Sequence, residues 1–115
     1  MINDCAVSRN SISYSNAQIE VDTSPLKAWF DTVEKRFYVL FDYNQKWVSK
    51  RFSNLVAISE NGKLAWTAVL PTDSDADCFT DAYVENNVLK AFSYSCNYCE
   101  ICLSTGMLVK KEFTK

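Results

Sequence analysis

At 115 residues, 48% of them hydrophobic and 23% charged, the chain is long enough for one domain with a modest core and too apolar for disorder. It holds no histidine and two glycines, which removes His-dependent nucleophilic and metal chemistry and any glycine-rich phosphate loop. A formal charge of −2, from twelve basic and fourteen acidic residues, offers no global footprint for nucleic acid.

The opening Met-Ile-Asn-Asp-Cys is polar, and nothing in the chain approaches the ~18 apolar residues of a transmembrane span, so no membrane association is expected. Five cysteines, an odd number without a secretion signal, point to a reducing, cytoplasmic setting. Residues 1–16 are expected to form an extra strand, carried by Ile12 and Tyr14, or a loose arm. Ser24-Pro25, followed by Leu26, Trp29, Phe30 and Val33, has helical spacing. A strand is nonetheless expected over residues 26–32, because their counterpart at 78–84 has stronger strand character and a duplication requires one structure for both.

After a turn at Glu34-Lys35, the apolar run Phe37-Tyr-Val-Leu-Phe41 reads as the next strand. An insertion of about eight residues follows (44–53), and it can hold a short helix, since Val48, Phe52 and Val56 share a helical face. Within it, Trp47 and Phe52 lie among Lys46, Lys50 and Arg51. This aromatic–basic segment suits partner contact, single-stranded nucleic acid or a lid on the core. Asn61-Gly62 is a tight-hairpin signal between two strand patterns. From Leu64 to Leu89 there is no basic residue, whereas Asp73, Asp75, Asp77, Asp81 and Glu85 are concentrated there, a local field suited to a basic partner. The run Asp73-Ser-Asp-Ala-Asp77 is not a calcium loop, because Cys78 and Val84 stand where glycine and glutamate are required.

Cys96, Cys99 and Cys102 have the spacing of a zinc or iron–sulfur motif. A turn at 95–97 and a strand over 98–103 would point Cys99 and Cys102 to opposite faces, and no histidine can complete a ligand set. They read as half-buried strand cysteines, with a disulfide to Cys78 as the alternative; no metal and no cofactor are expected. Gly106 closes the last hairpin, 44 residues after Gly62.

The strands thus fall into two copies, 26–32 and 37–41 matching 78–84 and 89–93, and the two glycine hairpins matching each other, with Leu64 opposite Leu108. The expected fold is all-β: two four-stranded antiparallel, propeller-blade-like sheets from internal duplication, in a single domain over 1–115. The first repeat spans 17–71 and the second 72–115.

Asn54-Leu-Val-Ala-Ile-Ser-Glu-Asn-Gly-Lys-Leu-Ala-Trp66 followed by Ala68-Val-Leu-Pro71 resembles a pyrroloquinoline-quinone-type propeller repeat, a strand, a polar turn with glycine and a strand ending in a docking tryptophan. The second copy, residues 92–108, is similar but has Lys110 in the place of Trp66. A closed propeller needs about four to eight blades. The chain therefore more closely resembles small bacterial two-repeat half-propeller proteins, some of which are immunity proteins of contact-dependent or polymorphic toxin systems. That resemblance implies no enzymatic activity and no quinone site. It implies a cytoplasmic protein that binds and neutralises a cognate toxin, a basic nuclease such as an RNase, by steric occlusion and acidic complementarity. Partner contact is assigned to Asp73, Asp75, Asp77, Asp81, Glu85 and Trp47, with no nucleic acid as partner. The alternative is a non-catalytic scaffold, a homodimer completing a four-blade assembly.

Overall fold

A computed structural model describes residues 2–42, 53–74 and 77–114. The short helix expected over 44–53, together with Trp47 and Asp75, falls on positions outside those residues, Ser53 excepted. Twelve strands are described, in three antiparallel sheets. A five-stranded sheet contains β1 (Ile2–Asp4), β5 (Pro25–Asp31), β6 (Arg36–Phe41), β7 (Leu55–Ser59) and β8 (Leu64–Thr67), in that spatial order. β9 (Phe79–Glu85), β10 (Val88–Ser93), β11 (Asn97–Ile101) and β12 (Leu108–Phe113) form a four-stranded meander. β2 (Ala6–Val7), β3 (Ser11–Tyr14) and β4 (Ala17–Glu20) form a third, small sheet.

The expected all-β class and the two four-stranded meanders, β5 to β8 and β9 to β12, are present. The segment after Ser24-Pro25 is strand, as the repeat required: Trp29 pairs with Tyr38 and Phe30 with Phe37. The sheet count differs from expectation. Neither an arm nor one added strand describes residues 1–16. They supply β1, which extends the first meander, and β2 and β3, which join β4 in the third sheet. Residues 17–20, expected in the first repeat, belong to that third sheet too.

The physical reason lies in β6. Tyr38 and Leu40 face the second meander, in a core with Leu55, Ala57, Trp66, Phe79, Leu89, Ala91, Cys99 and Ile101. Phe37, Val39 and Phe41 face the other way and pack with Ile12, Ile19, Phe30 and Val56. A strand apolar at successive positions needs cover on both faces. β2–β4 supply the second cover: Ile12 is fully buried, and Tyr14 stacks on Phe30 with ring centroids 5.3 Å apart.

The repeats also align differently at their last strands. Trp66 lies opposite Ala57, and Leu108 lies opposite Ile101. Leu108 therefore stands where Trp66 does, not Leu64. Between these paired positions the second hairpin holds six residues and the first eight, so a match by glycine position displaces the strands that follow.

Candidate protein-interaction site

Among the described acidic residues assigned to partner contact, one is buried and two are paired with lysines. Asp73 is exposed in the connection between the meanders. Asp77 is buried, and its carboxylate accepts bonds from the Thr72 hydroxyl (2.7 Å), the Ser95 hydroxyl (3.0 Å) and the Ser95 and Cys78 N–H groups (3.1 and 3.0 Å). It ties the inter-repeat loop to the β10–β11 turn. Asp81 is exposed but ion-paired: Lys27 Nζ donates to its Oδ1 at 2.7 Å, which with the Ala82 N–H holds the carboxyl below its ordinary range against partial burial. Glu85 is likewise paired, with Lys90 at 2.8 Å. The run looks unopposed in sequence because Lys27, 54 residues away, is brought to it only by the fold.

The cysteines are free, and their environments differ. Cys96 is exposed in the β10–β11 turn; Cys99 is fully buried, and burial raises its thiol to about 11. Cys102 lies just beyond β11. Its thiol is lowered by the Thr105 hydroxyl, then by the Ser104 and Thr105 N–H groups. Among the described residues, no group of three or more Cys, Asp or Glu side chains is arranged to hold a metal ion.

Two sets of contacts join the meanders; Trp66 is marked in the sequence as the docking tryptophan of the resemblance, whereas Asn54 carries no signal. Asn54 is buried between the sheets: its amide donates to the Phe41 carbonyl (3.0 Å) and the Phe79 carbonyl (2.7 Å), while its Oδ1 accepts the Phe79 N–H (2.8 Å). Trp66 donates its indole N–H to the Leu103 carbonyl at 2.9 Å, and the Val69 N–H donates to the Gly106 carbonyl at 2.9 Å. The first contact joins β9 to the start of β7, the second the end of β8 to the last hairpin.

A cleft of about 490 Å³ opens between β5 and β9, lined by Val7, Leu26, Lys27, Trp29, Tyr83 and Val84, among others. β9 is an edge strand there. Its hairpin with β10 closes at Glu85 and Val88 around Asn86-Asn87, both with φ near +55° (52° and 59°), the geometry of a two-residue turn. A closing pair of this kind shares the narrow hydrogen bonds, so alternation directs the backbone of Val84 and Ala82 outward, into the cleft. Lys27 Nζ donates to the Ala82 carbonyl at 3.3 Å and the Ala82 N–H donates to Asp81, so the ion pair seals that one position. Among the described residues no such contact covers the backbone of Val84, and exposed apolar Val7 and Leu26 line the same cleft. The arrangement is a strand edge with an apolar wall, suited to receiving an extended segment.

A family model matches residues 7–113. The chain belongs to DUF7957, a domain of unknown function. The DUF7957 unit takes in β3 to β12, so the small N-terminal sheet is part of the family's domain alongside both meanders. No curated protein and no solved structure matches the chain.

Proposed function

We propose that this DUF7957 chain is a non-catalytic protein-binding module that takes an extended segment of its partner into the cleft between β5 and β9. The observation that carries the reading is the outward-directed backbone of Val84 beside exposed Leu26 and Val7. Its resemblance to half-propeller immunity proteins supports the further reading: a cytoplasmic inhibitor that blocks a cognate toxin by occlusion. The burial of Asp77 and the pairing of Asp81 and Glu85 weaken acidic complementarity as the driving term, and the choice of a nuclease with it. The four-blade ring of two chains is the weaker alternative, because it needs the outer face of the first meander, which β2–β4 cover.

The test asks whether the neighbouring gene encodes a secreted protein with a variable C-terminal domain, and then pairs that domain with the full chain; a neighbourhood without such a gene counts against the immunity reading. Co-expression should rescue growth, and the two should co-purify. Leu26→Glu and Val7→Glu should abolish both effects while leaving thermal unfolding unchanged. Growth arrest that persists with the wild-type chain present overturns the immunity reading, and co-purification that survives both substitutions overturns the cleft.

A further inference from the structure

The outer face of the second meander carries two cross-strand rows. Tyr83, Lys90, Glu100 and Lys110 are register partners across β9 to β12, and so are Asp81, Phe92, Tyr98 and Glu112. These residues alternate with Ala82, Ala91 and Cys99, which point into the core. Tyr83 stacks on Phe92 (6.0 Å between centroids), Phe92 packs against Tyr98 (5.5 Å), and Lys90 and Lys110 lie over the Tyr83 and Tyr98 rings. All three aromatic residues are half-buried. The corresponding face of the first meander is covered by β2–β4; among the described residues no element packs over this one.

We propose that a second copy of the chain covers this face, in a two-fold dimer whose axis runs along the rows. Such an axis places the first row of one copy over the second row of the other. Lys110 then meets Glu112 of the other copy, Lys90 lies over its Phe92, and Glu100 meets its Tyr98. The pattern is self-complementary column by column. An axis along the strands instead sets Asp81 against Glu112 and Lys90 against Glu100, and leaves Lys110 over Tyr83, so exchanging the charges of Lys110 and Glu112 tells the two axes apart. Tyr83 borders both this face and the cleft between β5 and β9, but Lys110 and Glu112 lie on β12, at the opposite edge of the sheet, so substituting them tests the dimer apart from partner binding.

Sedimentation equilibrium on the full chain tests the dimer. The wild type should have the mass of a dimer at about 0.2 mM, a level that detects even weak pairing. Lys110→Glu alone and Glu112→Lys alone each bring four like charges together, and each should weaken association by at least ~10-fold. Mixed in equal amounts, the two variants restore opposite charges at both contacts of the β12 column and should form a heterodimer. Unchanged thermal unfolding of the variants separates lost pairing from lost folding. A monomeric wild type, variants that pair as tightly as the wild type, or a mixture that stays monomeric overturns the proposal.

Discussion

Trp66 and Gly106 meet across the two meanders so closely that a β-carbon on Gly106 would lie 2.6 Å from Cε3 of the indole. Gly106 also has φ +77°, in the left-handed region. Gly62, its match in the sequence repeat, has φ +90° and nothing within 4 Å of where a β-carbon would stand. One glycine serves a turn; the other serves a turn and a joint. Gly62→Ala should cost ~1 kcal/mol from backbone conformation alone. Gly106→Ala should cost ~3 kcal/mol or more, because the indole must also move. Urea unfolding midpoints decide this, and equal losses would remove the joint from the account.

Asn54 should prove the costliest polar residue to replace. Asn54→Ala leaves the Phe79 N–H and two carbonyls between the sheets without their partner, at ~3 kcal/mol. Asn54→Asp can still accept from Phe79 but cannot donate to the carbonyls, and should be no better tolerated. Chemical denaturation of both variants measures the effect. A loss under ~1 kcal/mol would mean that water replaces the amide readily.

Acid should act through Asp31. Burial opposes ionisation of this residue, but the Glu34 N–H, the Tyr38 hydroxyl and the Val33 N–H together hold its carboxyl below the ordinary range. A lowered folded-state value means that the carboxylate's contribution is present above about pH 4 and is lost as pH falls through the folded value. Between pH 5 and pH 2, Asp31→Asn should therefore flatten the fall of stability with acid. An identical slope in wild type and variant would assign that fall to other carboxylates.

Thiol reactivity should follow environment. Iodoacetamide at neutral pH should modify exposed Cys96 and the lowered Cys102 thiol before buried Cys99, read by mass spectrometry of the folded protein. Cys5, raised to about 12 by burial and by neighbouring Asp4, should also react slowly. Labelling of Cys99 at the rate of Cys96 would show that β11 opens on the same timescale.

The all-β class, the duplicated meanders and strand at β5 were legible because hairpin glycines and alternating apolar residues are local signals. The third sheet was not, since β2–β4 lie outside the repeat. Its trace in the sequence was the unbroken run Phe37–Phe41, which alternation alone does not interpret. The acid run reads differently in sequence and in space. Asp77 finds Thr72 and Ser95, and Asp81 finds Lys27, only after folding. Asn54, a single polar residue heading an apolar strand, carried no mark of the two carbonyls awaiting it.

A stack of β units with bare faces at both ends has no intrinsic length: each copy can accept the next, and the product is a filament. β2–β4 close one end of this stack with a separate, three-stranded sheet. Head-to-tail growth then lacks an acceptor, and pairing through the remaining face terminates at two. Truncation before Val21 would remove that stop and expose Phe37, Val39 and Phe41, turning a finite particle into one prone to fibre formation.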